Sequence, residues 1–204
     1  MSALAFDAAQ DAIVAVGRWL DGKGWAPATS GNYSARLDDG SFAVTVSGRH
    51  KGRLTRDDVM RVDAAGASLD GKKPSAETAL HLALYRTFPD TGAVLHSHSP
   101  AAVGLSRAVA GAGYTLAGHE MLKALPGIAT HATSVVLPIV ENSQDMAELD
   151  AAITPRLLET GAIPAYLIRG HGLYGWGADM AEAERVIEAV EWMIAAELAE
   201  RSFR

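Results

Sequence analysis

The chain has 204 residues, of which 49% are hydrophobic and 21% charged; this is enough apolar sequence for the core of one globular domain and excludes a disordered or collagen-like protein. Its formal net charge is -6 and its 18 basic residues form no dense cluster, so nucleic acid is not expected as a partner. The absence of cysteine excludes disulfides and thiolate ligands, so a bound metal must be held by histidine, aspartate or glutamate.

The first elements predicted are a helix and a hairpin. Apolar residues at helical spacing predict an amphipathic helix from Ala8 to about Lys23, with Asp7 as its N-cap. Tyr33 to Leu37 and Phe42 to Val46 are interpreted as strands, because the intervening Asp38-Asp39-Gly40 favours a tight turn. These two segments are therefore expected to pair as a β-hairpin.

A short turn, a strand and a capped helix are predicted next. Thr55-Arg-Asp-Asp58 resembles a capping box for a short helical turn, and Val59 to Val62 is expected to return as a strand. Ser75 is the predicted cap of a helix over residues 76–85, which Pro89-Asp-Thr-Gly92 closes.

The middle of the chain begins with the apolar strand Ala93 to Leu95, which runs into His96 and His98. A helix from Pro100 to about Val109 is expected to follow, and then a short apolar stretch near Ser134 to Val140. A helix over Gln144 to Glu159 comes next, and Pro155 is expected to interrupt or restart it. The short strand Ala165 to Ile168 completes this region.

The last helix has the clearest pattern. It begins at the capping box Asp179-Met-Ala-Glu182. One apolar stripe follows, formed by Ala183, Val186, Ile187, Val190, Met193, Ile194 and Leu198. Glu184, Glu188 and Glu191 are expected on the opposite face. Because strands are separated by helices after one early hairpin, the fold class is predicted to be α/β, with a mixed sheet covered by helices on both faces.

Three histidines stand where strands are predicted to end. Side chains alternate along a strand, so His96 and His98 are expected to project to the same side. His171 lies between glycines in Arg169-Gly-His-Gly172, after another apolar strand. Three imidazoles with an open position suit a catalytic zinc ion better than a structural one, which four ligands usually close. The alternative is that these are hydrogen-bonded histidines of the core.

Two carboxylates are candidates for general acid and base catalysis. Glu77 lies in the first turn of a predicted helix, and Glu120 follows a flexible glycine in Gly118-His-Glu-Met121. Glu77 could instead only complement the positive end of its helix. Glu120 could equally form a solvated surface pair with His119.

Small-residue loops are candidates for binding an anion. Backbone N–H groups at such turns, with hydroxyls and an ammonium nearby, satisfy a phosphate monoester. The candidate residues are Ser30, Gly31, Asn32, Ser47, Gly48, Lys51 and Ser75. Each loop by itself is more often an ordinary turn, but together with a metal they indicate a phosphorylated small molecule as substrate.

These motifs, in this order over nearly the whole chain, resemble the class II aldolase/adducin family. The resemblance is carried by Ser30-Gly-Asn32, Thr45-Val-Ser-Gly48, Pro74-Ser-Ala-Glu77, His96-Ser-His98 and Gly170-His-Gly172. It implies a single domain over residues 1–204, folded as a three-layer α/β/α sandwich with a mixed, largely antiparallel sheet. It also implies a homotetramer with active sites near the subunit interfaces.

The same resemblance assigns roles to residues. It implies one Zn2+ bound by His96, His98 and His171, and phosphate contacts at Asn32, Ser47, Gly48 and Ser75. Ala76 replaces the second hydroxyl of the usual serine pair, which puts one phosphate contact in doubt. Glu120 matches the acid/base residue proposed for dehydrating members. Glu77 matches the glutamate that aldolase members use as acid/base or as a further metal ligand.

Other segments narrow the resemblance within the family. Gly118-His-Glu-Met121, Glu141-Asn-Ser-Gln-Asp145, Gly172-Leu-Tyr-Gly-Trp176 and the tail Glu184 to Glu200 look most like the members that dehydrate 5-methylthioribulose 1-phosphate to 5-methylthio-2,3-dioxopentyl 1-phosphate in methionine salvage. This implies a zinc-dependent lyase that acts through a zinc-stabilised enediolate. The alternatives are a class II aldolase for fuculose, rhamnulose or ribulose phosphate, and a non-catalytic, adducin-like interaction module that has lost its metal site.

The surroundings of the substrate are less defined by the sequence. A methylthio group needs an apolar pocket, for which the candidates are Leu116, Met121, Leu122 and Trp176.

The N-terminal segment lacks the basic start and the long apolar stretch of a signal peptide, and no later segment is long and apolar enough to cross a bilayer. The protein is therefore expected in the cytoplasm, with no membrane partner.

Overall fold

The computed structural model describes residues 4–159 and 163–203. Its helices are α1 Phe6–Gly22, α2 Thr78–Thr87, α3 Pro100–Ala108, α4 Met146–Glu159 and α5 Met180–Ser202. Its strands are β1 Asn32–Arg36, β2 Phe42–Thr45, β3 Val59–Val62, β4 Ala93–Ser97, β5 Gly113–Ala117, β6 Ser134–Val140, β7 Ala165–Ile168 and β8 Gly172–Gly177. Short 3-10 turns lie at Lys51–Arg53, Arg56–Asp58 and Glu120–Ala124.

The strands of the described part form one sheet in the order β3-β2-β1-β4-β8-β7-β6-β5. Only β6 and β7 pair in parallel among them, and the other neighbours are antiparallel. The predicted hairpin of β1 and β2 is confirmed, as is the mixed, largely antiparallel sheet. The central strands are β4 and β8, which pair with each other over their length.

Helices cover both faces of the sheet. Neighbouring residues of one strand point into different cores, as Val94 and Leu95 of β4 do, because strand side chains alternate. Leu95 packs in the core that α1, α3 and α5 cover, whereas Val94 packs in the core that α2 and α4 cover. The three-layer α/β/α sandwich is therefore confirmed.

Two predicted helix starts were wrong. The first helix begins at Phe6 with Ala5 as its N-cap, so Asp7 lies in the first turn, where its charge still favours the helix N-terminus. The helix α2 begins at Thr78 after Glu77, and Ser75 is not its cap. Ser75 donates its backbone N–H to the Thr45 carbonyl at 3.2 Å, so the chain stays alongside β2 up to this residue.

The strand β8 was not predicted, nor was β5, because glycines depress strand propensity. Here the glycines allow close packing. A Cβ at Gly172 would lie 2.1 Å from the Ser97 carbonyl oxygen, and one at Gly175 would lie 2.8 Å from the Ile187 Cδ1 atom. The glycine-containing segment that follows His171 is thus a central strand.

The predicted interruption at Pro155 was wrong, because α4 continues through it to Glu159. Proline lacks the N–H that would bond the carbonyl of Ala151. Ala151 and Pro155 are both exposed, so solvent is available to that carbonyl. The helix therefore tolerates the proline on its outer face.

The capped start of α5 is confirmed: Asp179 accepts a hydrogen bond from the Glu182 N–H at 2.8 Å. Its apolar stripe is buried as far as Ile194, whereas Leu198 is partly exposed. The placement of Glu191 on the polar face was wrong, because its side chain is only 2% exposed and bonds to Ser97 and Ser99. None of the described helices has the length and apolar content that a membrane span needs.

Candidate active site

The sheet topology brings the three candidate histidines together. His96 lies on β4 and His98 just beyond it, and β4 pairs with β8 so that His96 is opposite Tyr174. A tight turn joins β7 to β8, with Gly170 at a φ of 67°, which glycine adopts without strain. His171 is in this turn and therefore returns to the end of β4.

The three side chains meet through their Nε2 atoms. The distance is 2.8 Å between His96 and His98 and 3.4 Å between His96 and His171. One ligand atom from each histidine lies within 4.8 Å of those of the other two. The predicted convergence of His96, His98 and His171 is confirmed.

The chemistry of the cluster fits a metal ion. His96 Nδ1 lies 3.0 Å from the Leu173 carbonyl oxygen, to which it must donate because a carbonyl only accepts. Burial lowers the pKa of His96 well below its ordinary value and that of His98 to about 4, so these two imidazoles are neutral near pH 7. The His96 Nε2 atom then presents a lone pair to its neighbours, and a cation at this point satisfies it.

Glu77 adds a carboxylate to the same cluster. Its Oε2 atom is 3.2 Å from His96 Nε2, and its Oε1 atom is 3.1 Å from His171 Nε2. Asn32 Nδ2 donates to Glu77 at 3.1 Å, and the Tyr174 hydroxyl donates to it as well. Although Glu77 precedes α2, its side chain makes no capping hydrogen bond. The carboxylate is therefore directed to the histidines and not to the helix.

Lys51 connects the candidate anion loops. The side chain is buried, and its Nζ donates to the carbonyls of Thr29 at 2.9 Å and Arg49 at 2.7 Å. Burial lowers the pKa of Lys51 to about 8, although the negative charge of Glu77 acts in the opposite direction. Two of the three ammonium donors are thus used to hold together the loops that contain Ser30 and Ser47.

The other candidate phosphate residues lie around these loops. Gly31 has a φ of 77°, and a Cβ there would lie 2.7 Å from the His96 carbonyl oxygen, so a glycine is needed for this close approach. Ser47 donates its N–H to the Lys73 carbonyl at 3.0 Å, which aligns its segment with that of Ser75. Ser30 donates its hydroxyl to the Pro27 carbonyl at 2.7 Å.

Glu120 is not part of this cluster. Its side chain is 66% exposed, and its carboxylate pairs with His131 at 3.0 Å and with Lys123. The neighbouring His119 bonds to Glu197 on α5 at 2.9 Å, so Glu120 lies on the surface, as one alternative had it, but with His131 and Lys123 and not His119 as its partners. The structure therefore brings Glu77 to the histidines but leaves Glu120 on the surface.

Sequence reasoning missed Tyr174 as a site residue. Its ring stacks on that of His96 with centroids 4.1 Å apart and on that of Tyr166 at 4.8 Å. The signal was the apolar and aromatic content of Gly172-Leu-Tyr-Gly-Trp176, which is typical of a buried strand once the glycines are discounted.

The candidates for a methylthio pocket are mostly buried in the two cores. Leu116 and Leu122 are fully buried, and Trp176 stacks on Phe88 with ring centroids 5.3 Å apart. Met121 is partly exposed. Of the four, Met121 keeps the most surface for a ligand.

Comparison with known proteins agrees with this architecture. Residues 11–198 match the family model for the class II aldolase and adducin N-terminal domain. Relatives named methylthioribulose-1-phosphate dehydratase come from Methylococcus capsulatus, 55% identical over 89% of this chain and 88% of that protein, and from Pseudomonas paraeruginosa, 54% identical over 91% of each.

Solved structures show the same fold. The crystal structure of l-fuculose-1-phosphate aldolase from Thermus thermophilus has a TM-score of 0.75 and 27% identity, over 95% of this chain and 94% of that chain. The crystal structure of YgbL from Klebsiella pneumoniae has a TM-score of 0.80 and 25% identity, over 96% and 91%. From its sequence, its fold and the histidine cluster, the chain belongs to the class II aldolase and adducin N-terminal domain family.

Proposed function

We propose that the protein is a lyase that dehydrates 5-methylthioribulose 1-phosphate to 5-methylthio-2,3-dioxopentyl 1-phosphate in methionine salvage. The observation that carries this proposal is the identity of 50% to 55%, over about nine-tenths of the chain, to relatives named methylthioribulose-1-phosphate dehydratase. The geometry of His96, His98, His171 and Glu77 supports it, because metal-assisted proton removal beside a carbonyl needs such a site.

The metal that we propose is zinc, one ion for each chain. Three imidazole ligands with an open position suit Zn2+, and the chain has no cysteine that would close the site. When bound, the cation supplies positive charge that stabilises the oxyanion developing on the ketose as C3 loses its proton. The Leu173 carbonyl fixes the tautomer of His96 for this role.

In this mechanism Glu120 transfers the protons. It removes the C3 proton as a general base and then protonates the departing C4 hydroxyl as a general acid. The C3–H and C4–O bonds break, water leaves, and the enol tautomerises to the 2,3-diketone without cleavage of a carbon–carbon bond. Glu77 is the alternative acid/base residue, and its contacts with two imidazoles also suit a further metal ligand.

The phosphate of the substrate is bound by the loops that Lys51 holds together. Lys51 bonds to Thr29, which precedes Ser30, Gly31 and Asn32, and to Arg49, which follows Ser47 and Gly48. The Ser47 N–H bonds to the Lys73 carbonyl, in the segment that contains Ser75. The remaining ammonium donor and the nearby hydroxyls are suited to a phosphate monoester.

The proposed assembly is a cytoplasmic homotetramer with active sites near its subunit interfaces. Glu120 is exposed and pairs with Lys123 and His131 in its own chain, so in this proposal it acts at the site of a neighbouring subunit. Exposed apolar side chains on α5 and just beyond it, Trp192 at 50% and Phe203 at 88%, support association of this kind.

The second candidate function is a class II sugar-phosphate aldolase. The observation that favours it is the fold shared with the l-fuculose-1-phosphate aldolase of Thermus thermophilus. Both reactions begin with a stabilised enolate, so the metal site alone does not separate them. The two reactions differ in whether a carbon–carbon bond of the substrate is cleaved.

Product identification therefore tests the function. The zinc-loaded protein is incubated with 5-methylthioribulose 1-phosphate and, separately, with fuculose 1-phosphate and rhamnulose 1-phosphate, and the products are identified by mass spectrometry and phosphorus NMR. We expect a product lighter by one water from the first substrate and no dihydroxyacetone phosphate from the others. Formation of dihydroxyacetone phosphate, without dehydration of the thiomethyl ketose, would overturn the proposal.

A further inference from the structure

A buried carboxylate lies behind the histidine cluster and takes no part in the mechanism above. Glu191 on α5 is 2% exposed, although it was predicted on the polar face of its helix. Its Oε1 atom accepts a hydrogen bond from the Ser97 hydroxyl at 2.8 Å, and its Oε2 atom accepts one from the Ser99 hydroxyl. The carboxylate therefore bridges two serines that alternate in sequence with His96 and His98.

This alternation places the serines and the histidines on opposite sides of one backbone segment. Side chains of a strand point in turn to either face, so Ser97 points to α5 while His96 points to Glu77. Glu191 thus bonds to one side of this short segment, and two of the three imidazoles project from its other side.

The bridge also joins three elements. Ser99 caps α3, since its Oγ atom accepts the Ala102 N–H at 3.0 Å, and the same residue donates to Glu191. The end of β4, the start of α3 and the middle of α5 are therefore held by one carboxylate. Glycines of β8 bring α5 close to the sheet beside this point, as the contact of Gly175 with Ile187 shows.

A carboxylate is costly to bury unless its oxygens are hydrogen-bonded. Burial raises the pKa of Glu191 to about 7, and the hydrogen bonds from Ser99 and Ser97 oppose the shift. A leucine or methionine would fill the same space without this cost. The hydrogen bonds of Glu191 are therefore best explained by the fixed position that they give to Ser97 and Ser99.

We propose that Glu191 is a positioning residue that fixes the segment of residues 96–99, so that His96 and His98 are preorganised to bind the metal ion. This inference rests on the proposed metal site. It implies that the free energy of metal binding depends on hydrogen bonds made on the other side of the strand. A segment that is mobile before the metal ion binds must be ordered on binding, and this costs free energy and lowers the affinity. The hydrogen bonds of Glu191 order the segment beforehand, so this cost is avoided.

The test is zinc affinity of the metal-free protein, measured by competition with a chromogenic chelator, together with thermal melting. Partners behind metal ligands typically contribute about 10-fold to 100-fold to affinity, and because Glu191 acts through the backbone we expect Glu191→Ala to weaken zinc binding about 10-fold. Glu191→Gln keeps an acceptor and a donor for the serines and is expected to bind zinc within about threefold of the wild type.

Two further variants separate positioning from general loss of stability. Leu149→Ala removes a buried side chain from α4 on the other face of the sheet, and it is expected to lower the melting temperature while leaving zinc affinity unchanged. Ser97→Ala removes one arm of the bridge with little change in volume, so it remains informative if Glu191→Ala fails to fold. It is expected to weaken zinc binding severalfold.

The outcomes are distinct. Unchanged zinc affinity in Glu191→Ala, or in Ser97→Ala where the first variant does not fold, would overturn the inference. So would equal losses in Glu191→Ala and Leu149→Ala, or a loss in Glu191→Gln as large as in the alanine variant. If the wild type itself binds no zinc, the proposed metal site fails, and this result is distinguished by measuring the wild type first.

Discussion

The histidine cluster and the segment around Glu120 are built in opposite ways. His96, His98 and His171 meet where paired central strands end, and Glu77 contacts two of them within the same chain. Glu120 instead lies in a 3-10 turn on the surface, where Lys123 and His131 are its partners.

The difference is that one chain brings its three histidines and Glu77 together, whereas Glu120, the proposed acid/base residue, lies apart from them. The hydrogen bond with Lys123 lowers the pKa of Glu120, whereas a residue that must also donate a proton works best with a pKa near neutrality. Burial of Glu120 against a neighbouring subunit would raise that pKa. The comparison therefore connects catalysis to assembly.

The largest expected effect is that of His96→Ala. Removing one of three imidazoles should abolish stable zinc binding and lower kcat/KM about 10⁴-fold, since both charge stabilisation and substrate orientation are lost. Metal content and turnover are measured together. His50→Ala, which changes a histidine outside the cluster, is the control and should retain both; metal content retained in His96→Ala would contradict the assignment.

Glu120→Gln should have the next largest effect. Loss of the acid/base residue is expected to lower kcat about 10³-fold while zinc content stays at the wild-type level. Steady-state kinetics and elemental analysis check this, with Glu188→Gln, another exposed glutamate paired with a lysine, as the control. Near-normal dehydration by Glu120→Gln would transfer the acid/base role to Glu77.

Glu77→Gln tests the role of the other carboxylate, which lies at the histidine cluster. The substitution removes a charge beside His96 and His171, so zinc affinity should fall about 10-fold to 100-fold. We expect excess zinc to restore most of kcat in this variant but none of it in Glu120→Gln. If excess zinc restores nothing in Glu77→Gln although the site is filled, Glu77 transfers protons itself.

A separate prediction concerns the pH dependence of stability that arises from His81, a buried histidine on α2. Burial lowers the pKa of His81 from its ordinary value of 6.5 to about 4, and its Nδ1 atom lies 2.7 Å from the Ser34 hydroxyl. Between these pH values the unfolded chain binds a proton that the folded chain does not. The free energy of unfolding should therefore fall as pH falls from 6.5 to about 4, by up to about 3 kcal/mol from this residue.

Urea unfolding of the metal-free protein at several pH values measures this slope. His81→Gln should flatten it in proportion, whereas His131→Gln, at an exposed histidine beside Glu120, should leave it unchanged. Equal slopes in the wild type and His81→Gln would show that His81 is not the source.

The sequence was informative where a pattern depends on neighbours along the chain. Alternation along β4 placed His96 and His98 on one side, and His171 was expected after another apolar strand; both predictions were confirmed. The helical spacing of α5 was equally clear, yet Glu191 was assigned to the wrong environment. A helical pattern does not contain the serines at the end of β4 that bond to it.

The strand β8 shows a second limit. Its glycines reduce strand propensity, and their purpose is contact with β4 and α5, which are distant in sequence. Tyr174 was therefore missed, although it stacks on His96. The surface position of Glu120 was one of two alternatives that the sequence left open, because its ion pairs are set by the 3-10 turn and by His131 beyond it.

The three-histidine metal site is tested most directly by the zinc content of the purified protein and of its His171→Ala variant, measured by plasma mass spectrometry. His171 is the proposed ligand that comes from a different part of the chain, so its removal tests whether the fold and not the His96-Ser-His98 motif alone forms the site. We expect one zinc ion for each wild-type chain and almost none in the variant. Equal zinc in both proteins would contradict the three-histidine site.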